Sequence, residues 1–248
     1  MGKIKSILDL SLSLAKTRFK LRNEGTYLGV FWYLLEPLCM LLILLYIFSS
    51  RKPNIKDYPL YLLLGLIMFN LFSNSTIQSA KAITENAGFI KSLKISHEAL
   101  VLSVVFQVIF THFFEIAALS IFMIYFNINL TGLIFYPILL FFYSIFICGI
   151  SFTLAAVGVR INDIANVWSV IVRLMWFATP LFYSISEKSL QSLLNPIAYF
   201  ISAGRSLIIN NQPPALWIVI GITFMSIISL AVGLFIFNLS KNKFAEYV

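Results

Sequence analysis

Four ionisable side chains stand inside long apolar runs of the sequence: Glu36, His112, Glu115 and Arg173. A charge at the centre of a bilayer costs about 2.5–3.5 kcal/mol on insertion scales unless it is paired or faces water. Such residues therefore mark an ion or proton pathway, a wet route for cargo, or a clasp between helices. His112 and Glu115 share one helical face at i, i+3, a spacing used in metal and proton sites. Nothing near them completes a ligand set, so an interhelical hydrogen bond is the plainer reading, and no metal site is assigned. At 1.5 Å per residue, Glu36 and Arg173 lie roughly 12 to 15 Å above the inner ends of their runs and Glu115 about 24 Å. The matched depth makes Glu36 and Arg173 candidates for a pair, acting as a structural clasp or as part of a gate.

Aromatic residues make up 16% of the chain and cluster as Phe31-Trp32-Tyr33, Trp176-Phe177 and Phe182-Tyr183, at or along the apolar runs. Trp and Tyr favour membrane interfaces, so packing or lipid contact accounts for most of them. Their faces also offer a sliding polyhydroxylated cargo apolar area without a deep well. On that second reading Trp32, Tyr33, Glu36, Arg173, Trp176 and Tyr183 line a substrate path. Enzymatic signatures are absent: there is no GxxxxGK[ST], HExxH, GxSxG or CxxC. Cys39 and Cys148 stand far apart inside apolar runs and read as packing residues.

The elements that position these groups are membrane helices. Hydrophobic residues supply 60% of the chain and charged ones 11%, with a mean hydropathy of +0.91. A bilayer core of roughly 30 Å takes about 20 apolar residues to cross. Six runs meet that length, at about 28–48, 58–79, 99–126, 133–158, 165–185 and 215–238. The fold class is all-α, with residues 1–27 as an interface segment and 28–248 as a six-helix transmembrane domain. The net charge of +8 sits in short connections between the runs, where it orients a membrane protein rather than binding nucleic acid.

Counting Lys and Arg places six before the first run, three after the second, one after the fourth and two after the sixth. The opposite side has five: Arg51, Lys52, Lys56, Lys188 and Arg205. Both termini are therefore expected in the cytoplasm. The first 27 residues carry six cations and no apolar core, which is unlike a cleavable signal. Within them Ile4, Ile7, Leu8, Leu12 and Ala15 share a helical face, as in a helix lying on a membrane. The connection from Ala80 to Glu98 is too polar to span. It reads as a solvated loop, or as a short helix that offers Glu85, Phe89, Lys91, Lys94, His97 and Glu98 to a partner's groove.

The stretch Tyr27-Leu28-Gly29-Val30-Phe31-Trp32-Tyr33-Leu34-Leu35-Glu36-Pro37-Leu38 resembles the first-span signature of type 2 ABC exporter permeases for O-antigen, capsule and teichoic-acid polymers. Arg18-Phe19-Lys20-Leu21-Arg22, Arg160-Ile161-Asn162-Asp163-Ile164, Thr179-Pro180-Leu181-Phe182-Tyr183 and Asn195-Pro196 with Arg205 extend the resemblance, in order, over nearly the whole chain. Two points depart from it. Ser96-His97-Glu98 stands where a Pro often precedes the third span, and Ile161 and Asn162 split the usual basic-acidic pair.

The resemblance implies a homodimer with two nucleotide-binding ATPase subunits, which hold ATP and Mg; this chain itself carries no cofactor. It implies coupling through the loop after the second span and short re-entrant outer helices within Gln191 to Asn210. The implied cargo is an undecaprenyl-diphosphate-linked polysaccharide moved across the cytoplasmic (inner) membrane, its phosphates drawn to Arg18, Lys20 or Arg22 beside membrane lipid. The competing functions are a drug or small-lipid exporter of the same superfamily and an ion-coupled secondary transporter using the four intramembrane charges.

Overall fold

Backbone groups in hydrocarbon find no water to bond, so apolar runs close their hydrogen bonds locally and become helices. The computed structural model describes residues 2–48, 55, 57–88, 96–183, 194–241 and 244. It contains eight α-helices among those residues: α1 (Gly2–Asn23), α2 (Trp32–Phe48), α3 (Tyr58–Ala80), α4 (His97–Tyr125), α5 (Thr131–Gly158), α6 (Ile164–Ala178), α7 (Pro196–Ile208) and α8 (Leu216–Lys241). Single 3₁₀ turns at Gly29–Phe31 and Thr84–Asn86 lead into α2 and follow α3, and no strand occurs among the described residues.

Among the described residues, five helical segments are long and apolar enough to cross a membrane: Gly29–Phe48, α3, α4, α5 and α8. The fifth expected run, 165–185, differs. Its helix stops at Ala178 after 15 residues, about 22 Å of rise. Proline at position 180 disfavours helical geometry at Thr179, whose φ of −88° and ψ of 136° are extended. Thr179 to Tyr183 therefore leaves the helix and turns back towards α3.

Helix α3 lies at the centre and packs against α2, α4, α5, α6 and α7. Its apolar residues surround the axis, and Leu62 to Phe69 are all buried, the pattern of a helix enclosed on every side. On one flank α5 and α8 approach closely at small residues. A Cβ on Gly149 would fall on the Ser229 backbone, and one on Gly233 would fall on the Gly149 carbonyl. Ser226 and Ser229 hydroxyls donate to the Phe142 and Phe146 carbonyls of α5, each at 2.8 Å. Small residues and interhelical hydrogen bonds drive association where lipid supplies no hydrophobic preference.

Helix α1 packs along α4. Ser11 and Ala15 are fully buried, whereas Ile4, Leu8 and Leu12 of the expected apolar stripe remain exposed. At the same end of the bundle Lys241 pairs with Glu98, and the buried Phe244 ring meets His97 and Phe237 edge-on. These contacts tie the end of α8 to the start of α4. We call this the near end, and the end carrying α7 the far end.

Candidate functional site

At the junction of α1 and α2, Gly25 (φ +78°) and Gly29 (φ +48°) turn the chain with left-handed backbone that other residues rarely adopt. The turn brings the last turn of α1 against the first of α2. Phe19 stacks on Tyr33 and Phe114 and meets Phe110 edge-on, which anchors α1 to α4. The Arg22 guanidinium lies 5.0 Å above the Tyr33 ring, a cation–π distance. Around this junction a cavity of about 580 Å³ is lined by Arg22, Asn23, Thr26, Trp32, Tyr33, Glu36 and Cys39, among others. It holds one cation, one carboxylate, two amphipathic rings and small polar groups, a lining able to hold an anionic headgroup beside hydroxylated matter. The Tyr33 hydroxyl is buried there with no hydrogen-bond partner among the described residues.

The other cations expected to meet phosphate are placed differently. Arg18 is half-buried, and burial pushes its guanidinium below the usual arginine range while the charge of Glu85, beyond α3, opposes the shift. It joins α1 electrostatically to the α3–α4 connection. Lys20 reaches Glu24 at 3.5 Å on an open surface, where an ion pair contributes little.

Arg173 is exposed on α6, as Glu36 is on α2, and no ion pair joins them within the chain. His112 and Glu115 are buried. His112 Nδ1 lies 2.8 Å from Glu115 Oε2, and Nε2 lies 2.7 Å from the Tyr136 hydroxyl of α5. A ring protonated on Nδ1 donates to the carboxylate and accepts from Tyr136, which satisfies all three groups across two helices. Among the described residues no cluster of three His, Cys, Asp or Glu side chains forms a metal cage.

The far end gathers a second constellation. Arg205 of α7 is buried, donating from Nη1 to the Pro180 carbonyl at 2.7 Å and from Nη2 to the Leu181 and Tyr61 carbonyls at 2.8 and 3.2 Å. Its guanidinium carbon lies 3.3 Å from the centre of the Tyr61 ring, and burial lowers its pKa to about 10. Tyr58 and Tyr61 hydroxyls donate to the Phe182 and Tyr183 carbonyls. Asn195 caps α7 by accepting from the Ile197 amide, and its Nδ2 donates to Thr179 Oγ1 at 2.8 Å. Thr179 in turn donates to the Met175 carbonyl. The carbonyls of the segment that follows α6, Pro180 to Tyr183, are thus bonded by side chains from α3 and α7. Trp176 and Tyr183 belong to this end: Phe182 bridges them, 5.4 Å from Trp176 and 5.0 Å from Tyr183 between ring centres.

Trp32, Tyr33, Glu36 and Arg22 therefore meet at one cavity, whose lining does not include Arg173, exposed on α6, or Trp176 and Tyr183, which flank Phe182. Of the connection after α3, Glu85 is exposed, and His97 and Glu98 are engaged by Phe244 and Lys241. Phe89, Lys91 and Lys94 lie outside the described residues, as do 191–193 of the expected outer helices. Sequence reasoning did not assign roles to Arg205, Tyr61, Asn195 or Thr179, although the Thr-Pro and Asn-Pro pairs and Arg205 signalled three of them. Tyr136 carried no signal beyond a polar tip inside an apolar run.

A family model described as ABC-2 type transporter matches residues 10–209. The chain is 24% identical over 247 residues to the O-antigen export system permease protein RfbA of Myxococcus xanthus, covering 96% of this chain and 95% of that protein. It is 28% identical to the O-antigen export system permease protein RfbA of Klebsiella pneumoniae, covering 97% and 95% of the two chains. The polysialic acid transport protein KpsM of Escherichia coli is 28% identical over 194 residues, 73% of this chain and 74% of that one.

Proposed function

The chain belongs to the ABC-2 type transporter family, and on that premise we propose that it is the membrane-spanning permease of an ATP-driven exporter of lipid-linked polysaccharide. Three relatives that match it over most of their length carry export or transport of O-antigen or polysialic acid in their names. The observation that carries the reading to residues is the cavity of about 580 Å³ at the α1–α2 junction. A polymer anchored by diphosphate to a polyprenyl tail reaches the permease from the inner leaflet, and only a site at the membrane edge of the bundle can receive headgroup and tail together. Arg22 meets the phosphate, Trp32 and Tyr33 offer stacking faces to the first sugars, and the exposed apolar flank of α1 (Ile4, Leu8, Leu12) lies against lipid.

ATP and Mg belong to two separate nucleotide-binding subunits docked at the near end, which is cytoplasmic in this reading. Their closure moves the α3–α4 connection, and the Arg18–Glu85 charge relation passes that movement to α1 and the cavity mouth. Two copies of the chain enclose the path, with Trp176 and Tyr183 towards its outer end.

The test is ATPase activity of the assembled transporter in vesicles, with and without undecaprenyl-diphosphate-linked glycan. Arg22→Ala alone should reduce glycan stimulation roughly tenfold, the loss expected for one charge-assisted contact. Stimulation by drugs but not glycan, or gradient-driven transport without nucleotide, would overturn the reading. In cells, deletion should remove surface glycan without broad drug sensitivity.

A further inference from the structure

Among the described residues, Glu36 and Arg173 are the charges inside the span region that the fold leaves exposed and unpaired; Glu115 has His112, and Arg205 has its three carbonyls. Facing hydrocarbon is costly for either charge, so each must meet water or an opposite charge.

Helix α3 serves as a ruler for their depth. The Phe48 ring stacks 5.4 Å from Phe182, whose carbonyl accepts from Tyr58 at the start of α3. Glu36 is 12 residues before Phe48, about 18 Å deeper, and 12 residues along α3 from Tyr58 reach Asn70. Trp168 donates to Thr76 at 2.9 Å, and Arg173, five residues further along α6, comes level with Leu71 of α3. The two charges therefore share a depth to within about one helical turn, roughly 5 Å, inside the reach of an arginine side chain.

Each charge also sits alone in an exposed apolar stripe: Glu36 with Met40 and Ile43 on α2, Arg173 with Val170 and Phe177 on α6. Both helices pack on α3, and Phe182 meets Phe48 of α2 and Trp176 of α6, so a face that carries both stripes would be complementary to itself. In an isologous dimer, if a residue on one copy touches a second residue on the other, the reverse contact follows by symmetry.

We infer that Glu36 of each copy pairs with Arg173 of the other, so that two symmetric ion pairs set the register of the dimer. Arg173 from the second copy then closes the cavity that holds Arg22, Trp32 and Glu36, and the site is incomplete in a single chain. The inference rests on the homodimer of the proposed function and names the contact that builds it.

The test is complementation between copies of the full chain, produced with the nucleotide-binding subunits and carrying two different tags. An E36R copy alone and an R173E copy alone should each lower dimer recovery and glycan export about tenfold or more, since like charges then face each other. Produced together, they should regain export, with mixed-tag pairs dominating, because the mixed dimer restores both opposite-charge contacts. A pair formed within one chain gives no such recovery.

As a measurement independent of folding yield, an E36C/R173C chain lacking Cys39 and Cys148 should give covalent dimer with a short bismaleimide, several-fold above either single cysteine. If wild-type copies with different tags co-purify but mixing restores nothing and the crosslink is absent, the ion pair is overturned and the dimer stands. If wild-type copies do not co-purify, the dimer reading falls and takes the pair with it.

Discussion

The far end of the bundle and the α1–α2 junction treat polar groups in opposite ways. At the far end, Arg205, Asn195, Thr179, Tyr58 and Tyr61 direct their polar atoms inward and spend almost all of them on backbone carbonyls or on each other, with Arg205 Nε left over. At the junction of α1 and α2, Arg22 and Glu36 are exposed around a cavity, and the Tyr33 hydroxyl is buried without a partner among the described residues. A satisfied buried network holds one geometry, whereas exposed charges beside a cavity remain free to bond something else. The far end is therefore a structural cap that positions the segment after α6, and the junction is the region that the proposed function gives to cargo. The His112–Glu115–Tyr136 cluster falls between them, charged in type but closed within the chain.

Substitutions can break or sharpen this contrast, and the largest effect on stability should come from Arg205. Arg205→Ala removes three hydrogen bonds and a cation–π contact and leaves carbonyls bare, so unfolding in micelles should become easier by about 3 kcal/mol. Arg205→Lys keeps the charge but loses the planar fork, and should recover only part of that. A neutral Arg205→Ala would erase the distinction between the far end and the junction.

Thr179→Val should cost about 1–2 kcal/mol in the same assay, because the buried Asn195 amide loses its acceptor, while the Met175 carbonyl loses the hydroxyl but keeps the residue-179 amide. Tyr136→Phe is smaller, about 0.6–1 kcal/mol, the usual value of an interhelical hydrogen bond in a membrane bundle. Arg22→Ala closes the series with a change within about 0.5 kcal/mol, while glycan-stimulated ATPase falls. An Arg22 variant that unfolds as easily as Arg205→Ala would make the junction structural as well.

Much of the scaffold was legible in the sequence because apolar length is a local property. The runs at 58–79 and 133–158 match α3 and α5 closely, since a helix is the one way a single segment in lipid can satisfy its own backbone. The run at 165–185 was harder to read: hydropathy continues past Ala178, but the peptide before Pro180 leaves helical geometry. Helix α1 was visible as a helix, yet its partner was not. Periodicity shows that Ile4, Leu8 and Leu12 share a face, and only packing shows that Ser11, Ala15 and Phe19 are the residues spent on α4.

The site divides along the same line. Residue type and burial cost alone marked Glu36, His112, Glu115 and Arg173 as groups that need an explanation, and the order of short motifs pointed to the family that the comparison over residues 10–209 established. Which explanation belongs to which residue was a matter of distance between segments far apart in sequence. Tyr136 lies 24 residues from His112, and Arg205 lies 144 from Tyr61, separations at which no spacing rule operates. The sequence by itself determined the medium, the helices and the list of costly charges, because each of these follows from a window shorter than one crossing. Only the tertiary structure decided which charges were spent inside the chain and which, Glu36 and Arg173 among them, were left facing out, because partnership depends on how helices pack around α3.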